Sequence, residues 1–142
     1  MRQLLRRPVM LDDILLGAPT DAVLDIESLR VVGLEIECGD GARRFLPLPA
    51  ARIRDDHVAV GSALMLLEND VRDFYRRRTE MFSALVGAPV ERGGRQLGAL
   101  SDVLVARDGS AEAVCIDANG SGVQRHPSEG LVVGAARRAP AA

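Results

Sequence analysis

Leu15-Leu16-Gly17-Ala18-Pro19 comes back as Leu85-Val86-Gly87-Ala88-Pro89, a shift of 87 − 17 = 70 positions, and this return is what decides the reading of the fold. Working outward, each copy is followed by a strand-like stretch around a glycine, Arg30-Val31-Val32-Gly33-Leu34 and Arg95-Gln96-Leu97-Gly98-Ala99. An Asp-Gly turn comes next, at Asp40-Gly41 and Asp108-Gly109. Both halves close on a similar phrase, Val58-Ala59-Val60-Gly61-Ser62-Ala63 and Leu131-Val132-Val133-Gly134-Ala135-Ala136. A period this long exceeds the roughly 20–50 residues of solenoid repeats, so the pattern reads as one duplication.

Between these landmarks the chain alternates as strands do. Residues Val32 to Cys38 alternate apolar and polar, Gly39-Asp40-Gly41 supplies a turn, and Arg43-Arg44-Phe45-Leu46-Pro47-Leu48 returns, which makes a hairpin. Gly98 to Ala106 and Glu112 to Asp117 flank Arg107-Asp108-Gly109-Ser110, and a turn at residues 118–122 leads into Val123 to His126, which makes a meander. Pro47, Pro49 and Pro127 stand where a corner or edge tolerates them. Between the halves the period changes. Leu64, Leu67, Val71, Phe74 and Tyr75 follow three-and-four spacing, which predicts a connector helix over residues 65–80 ending in the cations Arg76, Arg77 and Arg78.

Composition bounds the chemistry. A chain of 142 residues, 47% apolar and 27% charged, is an ordinary globular protein, and each half alone would bury too little surface to be stable, so the halves must pack together or on a partner. All 18 basic residues are arginine, which excludes every lysine-dependent chemistry, from Schiff bases to phosphate-loop lysines. Net charge is −2 and the aromatic residues are only Phe45, Phe74, Tyr75 and Phe82, so the basic field and stacking platforms of nucleic-acid binders are missing. No apolar run approaches the roughly 18 residues of a membrane span, and Arg6, Arg7, Pro8 and Asp12-Asp13 interrupt any secretory signal. The expectation is a cytoplasmic protein without a membrane span.

Candidate chemistry thins out on inspection. Asp117-x-Asn119-x-Ser121-Gly122 opens like a calcium loop but has Ser128 where a bidentate glutamate is needed, so it reads as a hairpin turn. His57 beside Asp55-Asp56 and His126 in Arg125-His126-Pro127 have no second ligand at diagnostic spacing. Cys38 falls in step with Leu34 and Ile36 and should point inward, and Cys115 reads the same way, as two core thiols. No catalytic residue, metal ligand or cofactor site is expected.

The phrase carried by the second half, Gly87-Ala88-Pro89-Val90, Gly94-Arg95-Gln96-Leu97-Gly98-Ala99-Leu100-Ser101-Asp102-Val103-Leu104-Val105 and Asp108-Gly109, resembles the PRC-barrel domain. The first half departs from it, with a shorter segment after Gly33 and no residue matched to Asp102. The resemblance implies a mostly β fold of two tandem small antiparallel PRC-like barrels, over residues 9–64 and 81–138, joined by one amphipathic helix, with flexible ends at 1–8 and 139–142. PRC barrels occur in the cytoplasmic domain of the photosynthetic reaction-centre H subunit and in the C-terminal domain of a maturation factor for the small ribosomal subunit, where they act in protein contact and assembly. What it implies here is a non-enzymatic adaptor that binds a protein partner or itself, with Arg43, Arg44, Phe45, Arg76, Arg77 and Arg78 as the contact residues. Two other roles stay open. A small-ligand or metal-responsive sensor would carry its site between the halves, and a ribosome-associated assembly factor would need a continuous arginine surface.

Overall fold

The computed structural model describes residues 1–68, 79–119 and 121–134. Its strands are β1 (Val9–Leu11), β2 (Ile14–Asp25), β3 (Val31–Cys38), β4 (Arg43–Pro47), β5 (Ala51–Ile53), β6 (Val58–Val60), β7 (Leu67–Glu68), β8 (Thr79–Met81), β9 (Pro89–Arg92), β10 (Arg95–Val105), β11 (Ala111–Asp117), β12 (Val123–Pro127) and β13 (Leu131–Val133). One short helix, α1 (Phe82–Leu85), precedes β9. One sheet runs β5-β6-β1-β2-β3-β4-β7 with β8 added along β2, and the second runs β12-β11-β10-β9-β13. The fold is mostly β, as the alternation predicts, and the hairpin and the meander form where they were expected.

The two sheets are the same unit built twice, but not in the alignment that the returning pentapeptide suggests. Gly17 lies inside β2, paired with Val9 and Cys38, whereas Gly87 stops α1 with φ +86°. They are not equivalent. Gly17 corresponds instead to Gly98, a shift of 98 − 17 = 81, in the matched phrases Leu16-Gly17-Ala18-Pro19-Thr20-Asp21 and Leu97-Gly98-Ala99-Leu100-Ser101-Asp102. The hydrogen-bonded ladders prove the match. Pro19 pairs with Ile36 and Asp21 with Glu35, skipping Thr20; Leu100 pairs with Ile116 and Asp102 with Cys115, skipping Ser101. A second irregularity falls at Val23/Leu24 in one ladder and at Leu104/Val105 in the other, which is the same place.

Burial follows the same correspondence. Met1 and Phe82, Leu4 and Leu85, Val9 and Val90, Ile36 and Ile116, and Ile53 and Val133 are all buried pairs. The other equivalences read from the sequence fail for one reason: they matched a turn or strand to its neighbour in the other unit. Asp40-Gly41 joins β3 to β4 while Asp108-Gly109 joins β10 to β11, and Gly33 lies on β3 while Gly98 lies on β10. The closing phrases differ as well, because β6 runs parallel to β1 and β13 runs antiparallel to β9. The true counterpart of β13 is β5, and β6 is an extra strand wedged between β5 and β1.

Neither strand order closes on itself among the described residues, and the buried side chains of the two sheets form one continuous cluster running from Met1 to Val133. Residues 1–8 are not a loose end: Met1 and Leu4 sit in that cluster. At the ends of the predicted connector, Ala63–Met65 is a 3-10 turn and Leu67–Glu68 and Thr79–Met81 are strands, because pairing with β4 and β2 overrides a weak local preference. The rest of that helix, residues 69–78 with Val71, Phe74 and Tyr75, and the tail at 139–142 lie outside the described residues.

Candidate interaction surface

The bulges at Thr20 and Ser101 do more than bend their strands, because a bulge re-aims the next side chain. Asp21 accepts from its neighbour Ala22 N–H at 2.9 Å, from Ser83 N–H at 3.1 Å, and from the Ser83 hydroxyl. Asp102 accepts from Val103 N–H at 2.8 Å and from Arg2 N–H at 3.3 Å, and pairs with the amine of Met1 at 3.2 Å. Each aspartate thus holds the segment that leads into the other unit. The clasp is reciprocal, and it explains how two small units share one core. Sequence reasoning missed Asp21 because the 70-residue alignment placed no counterpart there; the Leu-Gly-Ala triplet, aligned at 81, would have found it.

A groove of about 480 Å³ lies where the tip of the β10–β11 hairpin meets the first unit, floored by Val31, Pro47, Leu48 and Pro49. The tip is seated by Val31 N–H donating to the Gly109 carbonyl at 2.9 Å and by the Arg30 guanidinium donating to the Asp108 carbonyl at 2.8 Å. At Gly109 a Cβ would lie 2.1 Å from Leu48 Cδ2, and φ is +88°, so only glycine fits there. Arg107 stands at the rim and pairs with Asp55 of the first unit. The Ser110 hydroxyl and amide hold the Asp108 carboxyl below its ordinary range, which keeps a negative charge beside the two guanidinium groups. The groove thus has an apolar floor and a rim of mixed charge, with Arg30, Arg107 and Asp108 beside one another.

The residues expected to touch a partner are scattered by the structure. Arg43 is exposed on β4 and approaches the buried Glu35 at 3.4 Å. Arg44 makes a two-bond pair with Asp40, at 3.2 and 3.0 Å, which holds the Asp40 carboxyl below its usual range. Phe45 is a correction: it is fully buried, with its ring lying where a Cβ on Gly33 would be, so it is core and cannot meet a partner in this fold. Arg76, Arg77 and Arg78 lie outside the described residues.

Other singled-out residues fall as follows. Cys38 is buried as expected, while Cys115 sits on the opposite face of β11 from Val114 and Ile116 and is half-exposed; both are free thiols. His57 Nδ1 lies 2.6 Å from Asp56, whose carboxyl it lowers. His126 occupies the position that Leu46 fills in the first unit, with its Nε2 buried and without a hydrogen-bond partner among the described residues. Among those residues no cluster of three potential metal ligands occurs, and no helix is long and apolar enough to cross a membrane.

What the sequence did not signal is a set of apolar side chains in water. Ile14 and Leu15 follow the β1–β2 turn and are 60% and 63% exposed, beside a shallow hollow lined by Pro8, Leu16, Ala18 and Cys38. Leu64 is 85% exposed on the 3-10 turn before β7. No family model matches the chain, and no curated protein matches it.

Proposed function

We propose that this chain is a PRC-barrel-like, non-enzymatic adaptor or assembly protein that binds a protein partner or a second copy of itself. The observation that carries the reading is the paired exposure of Ile14 and Leu15, which project from a hairpin whose strands are anchored in the core by the buried Val9 and Leu24. Adjacent strand residues point to opposite faces, so an ordinary hairpin hides at least one of them; here both are in water, and an apolar prong of this kind marks a contact site. The resemblance supports the same role. Its quoted phrase falls on β10 and on the Asp102 bulge, and its missing first-half match is Asp21. The test is quantitative affinity capture with the wild-type chain and with Leu15→Asp, after circular dichroism shows the two equally folded. A stoichiometric partner, or a dimer in light scattering, that disappears with Leu15→Asp supports the reading; identical behaviour of the two proteins contradicts it.

A second reading, a small-ligand sensor with its site between the halves, is favoured by the groove of about 480 Å³ with Arg30 and Arg107 at its rim. Thermal shift in the presence of small carboxylates distinguishes it, since a ligand that binds the native state alone raises the melting temperature. The ribosome-associated role has less support, because Arg44 is tied to Asp40 and Arg43 approaches Glu35.

A further inference from the structure

The duplication provides an internal comparison that a single unit would not. β4 and β12 are equivalent strands, and Pro47 and Pro127 end them at the same position. On its outer edge β4 receives a short antiparallel strand, β7, with Leu67 opposite Phe45 and Glu68 opposite Arg44. On its outer edge β12 receives no strand among the described residues and stands at the end of its sheet. We propose that the bare outer edge of β12 is a docking site for an antiparallel extended segment of a partner protein carrying acidic side chains.

The same backbone, in the same place in the same unit, already accepts a strand once in this chain, and a proline at its end does not prevent it. Nor is the edge spoiled by irregularity. β11 and β12 pair over five consecutive positions, Ala113 with Pro127 through Asp117 with Val123, without a bulge to twist the edge away. Val123 on this strand is 61% exposed, and Gln124 and Arg125 are exposed beside it. A row of unpaired N–H and C=O groups with an exposed valine is a template for strand addition.

Charge selects the occupant. Arg125 has no ion pair or hydrogen-bond partner among the described residues, and the guanidinium of Arg92 reaches the far end of the same strand, donating to the Pro127 carbonyl at 2.6 Å and to the Glu129 carbonyl at 3.3 Å. Neither cation meets a carboxylate within salt-bridge distance among the described residues, and β12 itself contains none. Opposite charges facing each other across a strand pair are favourable and like charges are not. A second copy of β12 would bring only Arg125 and His126 to the pair, so self-pairing is disfavoured, while an acidic segment meets both cations. The proposal rests on the adaptor reading for its partner, but on a surface separate from Ile14 and Leu15.

The test titrates a blocked octapeptide of alternating glutamate and valine into the full chain, isotopically labelled, at low salt, with the lysine-valine peptide as control. Amide shifts confined to β12 and its neighbour β11, with at least tenfold weaker binding by Arg125→Glu and by the wild type at high salt, support the proposal. The lysine peptide should bind Arg125→Glu better than it binds the wild type. Shifts elsewhere, no binding up to millimolar peptide, or equal binding by Arg125→Glu overturn it, as would a concentration-dependent dimer with its shifts on β12, which would assign the edge to a second copy. If the peptide fails while Leu15→Asp still abolishes capture, the edge proposal falls and the adaptor reading stands. If capture is insensitive to Leu15→Asp while the peptide binds at β12, the adaptor reading loses its carrying observation and the edge remains.

Discussion

Gly17 and Gly98 are needed for one physical reason and Gly87 for another. Gly17 is small because a Cβ would sit 2.4 Å from the Glu37 carbonyl oxygen, and Gly98 because one would sit 2.2 Å from that of Asp117: each strand crosses its neighbour too closely for a side chain. Gly87 is there for a different reason, a left-handed turn that ends α1 with open space around it. Gly17→Ala and Gly98→Ala should therefore each lose about 1–3 kcal/mol or more in urea denaturation, since the neighbour is backbone and yields little. Gly39→Ala, with nothing near it and an ordinary backbone angle, should leave the midpoint within error. Charge at this scale is modest. Asp40 is exposed, and its carboxyl is lowered by the Arg44 guanidinium first and the Ala42 amide second. A lowered folded value means that its small contribution is complete above the ordinary carboxylate range near about 4 and disappears as pH falls through the folded value. Carbon-detected titration should place Asp40 below that range in the wild type and return it most of the way in Arg44→Gln.

At the scale of elements, much of the fold was legible. The alternation in Val32 to Cys38 and the turn residues at Asp40-Gly41 and Asp108-Gly109 gave the strands and hairpins, because half-buried strands write their period into the sequence. What could not be read was pairing across units. The 81-residue correspondence is carried by burial more than by identity, with Ala22 matching Val103 and Met1 matching Phe82, and a string comparison does not see burial. Candidate contact residues fared differently: Arg43 and Arg44 are on the surface, while Phe45, between Arg44 and Leu46 in sequence, lies opposite Glu35 across the strand pair and is buried with it. The clasp yields a prediction at this scale. Asp21→Ala should cost about 0.5–1.5 kcal/mol by removing the acceptor of the Ser83 and Ala22 amides, and the effects of Asp21→Ala and Ser83→Ala should fall well short of additive in a double-mutant cycle.

For the whole molecule, two copies of one sheet share a single core and differ at their edges. The first unit is finished by the stretch after β5, which inserts β6, lays β7 along β4 and lays β8 along β2. The second unit lacks a strand corresponding to β7 among the described residues, and β12 stands at the end of its sheet there. The first unit thus carries a strand along the outer edge of β4, and the equivalent edge of β12 has none among the described residues. Amide exchange measured residue by residue tests this most directly. In an antiparallel strand successive N–H groups point to opposite neighbours, so Arg44 and Phe45, flanked by β3 and β7, should both exchange slowly. Of their counterparts Gln124 and Arg125, flanked by β11 alone, one should be slow and the other should exchange as fast as a free amide. Two slow amides at Gln124 and Arg125 in the isolated protein would contradict the account, because the edge it leaves open would then be covered.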